Sequence, residues 1–306
     1  MKKTNIRLIA VCVAMLLCAL FCSCSKNSYG NTPTSPYYKD PVEGSLEAES
    51  SSPHIPVSIE KEIIYEKDGI SVSVSEIIND SFWGPEIIVE IKNETSTAIE
   101  LECADSSVNG IMHALLFYAK ADAGATISDS ITIYRDDLDL TKTYGIQNIE
   151  FKLVIKNADN GTTLDTSDVI TIKPTGAEDF DQKYDDSGVI MLDVDGLKII
   201  AKKIKNTSSI SGSKVYLYIE NKNEQSMSIK CSDLMINTTS LDAYFDCQVL
   251  SGKVAISEIQ ILESDLKKHE ILNITTLDLT LTFFNIETGE EISSIPLTAE
   301  LSSFVG

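Results

Sequence analysis

Three observations predict an all-β chain of two tandem β-sandwich domains: apolar and polar residues alternate in short runs, glycines separate the runs, and the chain matches itself at a shift of 128 residues. Period-two alternation is the mark of a strand with one buried and one solvated face. In the first half it runs through Ile70-Val72-Val74, Ile87-Val89-Ile91, Ile99-Leu101-Cys103, Ile127, Ile131-Ile133, Ile149-Phe151-Leu153 and Ile170-Ile172. The second half repeats it in Leu197-Ile199, Val215-Leu217-Ile219, Met227-Ile229-Cys231, Ile259-Ile261, Leu277-Leu279-Leu281 and Leu297. About seven short strands in roughly 115 residues, with turns every eight to twelve positions, argue for a sandwich of immunoglobulin-like type.

Asp159-Asn160-Gly161 and Glu287-Thr288-Gly289 suit hairpin loops with glycine in the left-handed position. Asp136-Asp137-Leu138 and Ser264-Asp265-Leu266 read as one helical turn each.

The 128-residue shift runs without a gap from Gly84/Gly212 to Gly161/Gly289, and about one position in five is identical. Among the identities are Asn93/Asn221, Cys103/Cys231, Asp105/Asp233, Asn109/Asn237, Gly124/Gly252 and Asn157/Asn285. A shift of 127 extends the match upstream through Asp68-Gly69 and Asp195-Gly196. A repeat this long marks two complete domains rather than a solenoid. The expected organisation is domain one over 57–174, an acidic linker over 175–187 and domain two over 188–304.

The N-terminus reads as an export signal over 1–23: Lys2, Lys3 and Arg7 precede the apolar run Leu8 to Phe21. That run spans about 21 Å as a helix, short of the ~30 Å hydrocarbon core, so cleavage is expected rather than membrane spanning. Cys24 follows the small residue Ser23, whereas Cys22 follows Phe21, so Cys24 is the expected site of lipid attachment. The stretch Leu20 to Cys24 resembles the lipobox of bacterial lipoproteins, with Phe21 standing where a leucine is usual. A plain secretory signal cut near Ser23 or Ser25 is the alternative. Residues 24–56 carry Pro33, Pro36, Pro41, Pro53 and Pro56 among Ser, Asn, Gly and Glu, a composition that reads as a flexible, disordered tether. A two-chain lipid there would hold the protein stably at the extracytoplasmic face of the cell membrane.

Removing the signal leaves 22 basic against 46 acidic residues, a formal charge of −24. Phosphate contacts need a basic face, so nucleic-acid binding is excluded, and adsorption to anionic lipid or wall polymers is disfavoured. Only Arg7 and Arg135 are arginines, a bias common in proteins of AT-rich genomes. Of seven cysteines, Cys24, Cys103, Cys231 and Cys247 survive removal of the signal, too few for a disulfide scaffold.

The Trp83 to Glu86 segment, Ile91-Lys92-Asn93-Glu94 and the Val108-Asn109-Gly110 turn resemble a domain of uncharacterised lipoproteins of gut Firmicutes, of clostridial type. The resemblance covers both halves, more clearly the first, and implies no reaction or ligand. The second half has Ser211 for Trp83 and Thr238 for Gly110, so no role of those residues is shared.

No catalytic group, cofactor site or metal site is expected. His54, His113 and His269 have no counterparts at the repeat shift, so histidine-based catalysis or zinc binding lacks convergent partners. Alternation sends Cys103 and Cys231 to the buried face as core thiols, and Cys247 shares the parity that leaves a Cys231–Cys247 disulfide open. Asp179, Asp181, Asp185 and Asp186, and separately Asp136, Asp137 and Asp139, raise calcium binding, but EF-hand spacing is absent and a solvated acidic surface is the simpler expectation. Phe82, Trp83, Tyr134 and Tyr144 are the candidate ligand contacts, an aromatic patch for a glycan or protein partner. The functional expectation is a non-enzymatic surface lipoprotein that binds or spaces. The rival is an accessory solute- or peptide-binding lipoprotein serving a transporter or sensor, and a hydrolase would need carboxylates or histidines converging in one pocket.

Overall fold

The computed structural model describes residues 54–206, 212–242 and 244–301, all within one compact unit. The signal, Cys24 and nearly all of the tether lie outside the described residues.

The first half forms β1 (Glu62–Lys67), β2 (Ile70–Ile78), β3 (Glu86–Asn93), β4 (Ile99–Val108), β5 (Ile111–Met112), β6 (Leu115–Leu116), β7 (Tyr118–Ala121), β8 (Thr126–Ile133), the short helix α1 (Arg135–Leu140), β9 (Ile149–Asn157), β10 (Thr163–Thr166) and β11 (Ile170–Ile172). The second half forms β12 (Val189–Val194), β13 (Leu197–Asn206), β14 (Ser213–Asn221), β15 (Met227–Ile236), β16 (Thr239–Ser240), β17 (Asp246–Val249), β18 (Lys253–Ile261), α2 (Glu263–Lys268), β19 (Thr276–Asn285) and β20 (Glu291–Glu300). The chain is all-β, and among the described residues its sheet pairings are antiparallel save one.

In the first half β1-β2-β3-β8-β6 forms one layer, and β10-β9-β4-β5, with β7 and β11 on its margins, forms the other. Alternation explains the packing: Val72, Val74, Ile87, Val89, Ile91 and Ile131 from one layer meet Ile99, Leu101, Phe151, Leu153 and Ile155 from the other in a single buried cluster. A second cluster centred on Ile199, Leu217, Ile229, Leu281 and Phe283 fills the second half between β12-β13-β14-β18 and β16-β15-β19-β20.

The repeat is written in the backbone as well as in the side chains. Non-glycine residues with positive φ fall in pairs: Asp68 (49°) and Asp195 (47°), Asp105 (51°) and Asp233 (52°), Asn109 (49°) and Asn237 (59°), Lys142 (55°) and Glu270 (55°). Such angles disfavour side chains with a Cβ, so their recurrence at 127 or 128 residues reflects shared local geometry rather than chance. Asp105 and Asp233 each sit in a register shift of β4 and β15 against β9 and β19, where a β-bulge adds twist.

Buried asparagines recur in the same way. Asn93 Nδ2 donates to the carbonyls of Thr97 (2.8 Å), Ala121 (3.1 Å) and Asp122 (3.0 Å). Asn221 Nδ2 donates to Gln225 (2.8 Å), Val249 (3.3 Å) and Leu250 (3.3 Å), the same positions one repeat later. Asn109 clamps Gly145, Gln147 and Asn148, and Asn237 clamps Asn273, Thr275 and Thr276.

The halves join through one sheet. β5 pairs with β18 in parallel at Ile111 and Val254, and the Val254 amide donates to Gly110 O at 3.0 Å, so the second layer of the first half runs on into the first layer of the second. Met112 packs on the second core, and Lys253 and Glu150 form an ion pair across the junction.

The acidic segment 175–187 is docked on the fold. Thr175 bridges to Ser58, Ala177 is buried in the first core with Phe180 against it, and Tyr184 Oη donates to Asn109 O at 2.8 Å. Three of its carboxylates are engaged by lysines: Asp185 by Lys202 (2.9 Å), Asp186 by Lys198 (2.7 Å) and Asp181 by Lys183 (2.7 Å).

Candidate functional site

The loop between β2 and β3 is held on the corner where β8 turns into α1. The Arg135 amide donates to Trp83 O (2.9 Å), the Ile133 amide to Pro85 O (2.9 Å), and Arg135 Nη2 donates to Asn79 O (3.2 Å) and Ser81 O (3.3 Å). Gly84 lets the loop lie this close: its φ is +133°, and a Cβ there would fall 2.7 Å from the Arg135 nitrogen and closer still to Ile133 O. Gly212 makes the same approach in the second half, where a Cβ would fall 2.5 Å from the Glu263 nitrogen.

On this fixed loop Phe82 is 85% exposed and Trp83 61% exposed, their rings edge to face at 4.9 Å. With Tyr134, Arg135, Asp136 and Asp137 they line a cleft of about 500 Å³, within the range of small-ligand sites. Burial raises the Asp137 carboxyl above the usual aspartate range, and the negative charges of Asp136 and Glu258 raise it further.

Of the four aromatics expected to act together, the structure gathers Phe82, Trp83 and Tyr134. Tyr144 lies apart: its ring meets the His54 imidazole edge to face at 5.6 Å, and its carbonyl accepts from the Ile55 amide. His54 also binds Asp139 at 2.9 Å, so the last residues of the expected tether are pinned to the first half. Period-two alternation cannot distinguish Tyr134 from Tyr144, because neither lies within a strand.

No family model matches the chain, and no curated protein does. The remaining candidate sites therefore rest on their own geometry.

The three described thiols are free. Cys247 lies opposite Ile229, and Cys231 opposite Leu281 on the other side of β15, so the register does not bring the two sulfurs together in a disulfide. Cys103 and Cys231 pack against their cores but are only half-buried, since each strand bends away at the bulge that follows. Burial raises all three thiols, Cys231 to about 11 and Cys247 to about 12, which keeps them protonated and unreactive at neutral pH.

His113 is almost wholly buried with Nε2 3.3 Å from Thr141 Oγ1 and Nδ1 without a partner, and desolvation lowers its pKa to about 4. Its surroundings are a core, not a reactive cluster. Among the described residues no group of three or more His, Cys, Asp or Glu side chains is arranged to hold a metal ion.

A second depression of about 550 Å³ runs between β1 and the β10–β11 margin. There Tyr65 Oη donates to Asp165 Oδ2 at 2.7 Å and Lys67 Nζ to Asp165 Oδ1 at 2.8 Å, so these polar groups satisfy one another.

Arg135 was not singled out as a site residue by sequence reasoning, although it is the only arginine after the signal. Asn93 and Asn221 also escaped it as structural anchors. Their identity at the 128-residue shift was the available signal.

Proposed function

We propose that the chain is a non-enzymatic extracytoplasmic lipoprotein, anchored by lipid on Cys24, whose two immunoglobulin-like sandwiches present a binding cleft to the outside of the cell. The resemblance to lipoproteins of gut Firmicutes agrees with this reading. The observation that carries the binding role is the contrast between the two copies of the β2–β3 loop. Both copies keep the glycine that seats the loop, but only the first crowns it with Phe82 and Trp83, where the second has Ile210 and Ser211. Leaving two large aromatics in water forgoes about 1.5–3 kcal/mol each of burial, which a purely structural loop has no reason to do. The size of the cleft also suits an accessory role in capturing a small solute for a transporter or sensor.

Two measurements test the proposal. Mass spectrometry of the N-terminal peptide from native membranes is expected to find a diacylglyceryl group on Cys24, and an unmodified cysteine overturns the anchor. Arrays of glycans, peptides and small solutes are expected to retain the wild-type chain and lose it when Phe82→Ser and Trp83→Ser are combined. Equal retention of both chains, or no retention of either, overturns the binding role.

A further inference from the structure

We propose that the Phe82–Trp83–Tyr134 cleft binds an organic ammonium cation, a quaternary or alkylated amine, seated on the aromatic faces beside the Asp136 and Asp137 carboxylates. This inference rests on the reading of the chain as a binding module and names the ligand class of that site.

Charge complementarity decides the class. Among the described residues neither Asp136 nor Asp137 has an ion-pair partner, whereas the Arg135 guanidinium is turned to the Asn79 and Ser81 carbonyls. Two carboxylates against one guanidinium leave the cleft net negative, Glu258 on β18 nearby being paired with Lys214 at 2.6 Å. An anion is repelled there. A neutral ligand of the same shape would cover the carboxylates without answering their charge, which costs free energy.

The rings supply the second half of the complement. Aromatic faces carry negative potential, and a cation within about 6 Å of a ring centroid gains roughly 0.5–2 kcal/mol, more as water is excluded. Phe82 and Trp83 line the cleft with most of their ring surface exposed, and the hydrogen-bonded loop fixes the backbone that carries them before any ligand arrives. Preorganisation of this kind lowers the ordering cost of binding.

The second copy isolates the rings as the distinguishing feature. At the equivalent positions it has Ile210, Ser211, Leu262, Glu263, Ser264 and Asp265, so every aromatic is replaced while two carboxylates and the seating glycine are kept.

Trp83 is the single tryptophan of the chain, so its emission reports on this cleft alone. The full chain is titrated at constant ionic strength with choline, with its uncharged isostere 3,3-dimethylbutan-1-ol, with phosphocholine and with a neutral methyl glucoside. Choline is expected to give a saturable emission change in the millimolar range or tighter, with the isostere at least tenfold weaker. Calorimetry is expected to show choline binding lost in Trp83→Leu and weakened about tenfold in Asp137→Asn, with Asp136→Asn reporting the same contribution where Asp137→Asn disturbs folding. Weaker binding of phosphocholine than choline assigns the site to a free amine, and equal binding assigns it to an amine borne on a phosphate headgroup. If the isostere or the glucoside binds as tightly as choline, the ammonium assignment falls while the cleft stands as a binding site. If neither choline nor phosphocholine produces a saturable change, the assignment falls outright, and the array comparison of the Phe82→Ser/Trp83→Ser chain then decides whether the binding role falls with it.

Discussion

Replacing Asn93 by alanine tests whether the buried asparagines are what fix the corner after β3. The side chain is wholly buried; its amide donates to three carbonyls, and its Oδ1 accepts from the Thr95 amide (3.0 Å) and hydroxyl (2.7 Å). Thr97 and Asp122 are exposed and their carbonyls regain water when the side chain is removed, part-buried Thr95 regains it less fully, and the buried Ala121 carbonyl is left with its neighbour Ile99 in the β4–β7 pairing. Each ordinary bond lost costs about 0.5–1.5 kcal/mol. Together the five contacts predict a loss of at least about 3 kcal/mol, read as a fall of at least roughly 1–2 M in the urea midpoint. Asn221→Ala is expected to cost the second half slightly less, because two of its three contacts are longer, at 3.3 Å. Asn157→Ala is the control, since its Oδ1 caps only the exposed amides of Asp159 and Asn160, and it is expected to cost under about 1 kcal/mol. A cost below about 1 kcal/mol for Asn93→Ala, or one no larger than that of Asn157→Ala, would refute the reasoning.

Gly84→Ala is expected to destabilise by more than about 3 kcal/mol in chemical denaturation, because strain at φ +133° adds to a backbone clash, whereas Gly124→Ala, at φ +71° with open space around it, costs only about 1 kcal/mol. His113 binds its proton only below about pH 4 when folded but near pH 6.5 when unfolded. Across that window the unfolded chain holds more protons, so stability is full above about pH 6.5 and declines as the pH is lowered toward 4, by up to about 3 kcal/mol, and His113→Phe is expected to flatten that decline in urea melts taken at successive pH values. A double-mutant cycle of Glu150→Gln and Lys253→Met is expected to give a coupling of about 1 kcal/mol, since both side chains are about four-fifths buried at the junction, and a coupling near zero would show that this ion pair does not help to hold the halves together.

The strands, the repeat and its turns were legible because they are local or self-referential. Alternation needs only neighbours two positions apart, the hairpin glycines act within four residues, and the helical turns after β8 and β18 stand where Asp136 to Leu138 and Ser264 to Leu266 indicated. Strands β1 and β12 are not legible by alternation: they are edge strands with one partner each, and a register shift in each, after Ile63 and after Ile190, breaks the period that alternation depends on. The pairing of Cys231 with Cys247 was left open by parity and closed by register.

By itself, then, the sequence determined that this is a duplicated all-β chain, since burial on alternate positions is decided by covalent order and the second copy obeys the same spacing as the first. Tertiary structure alone decided that Trp83, Tyr134 and Asp137 share a cleft while Tyr144 turns to His54, and that β5 joins β18 across the halves. Those contacts bring together residues far apart along the chain, and their geometry depends on how two layers twist and stack, a property no short window of residues encodes.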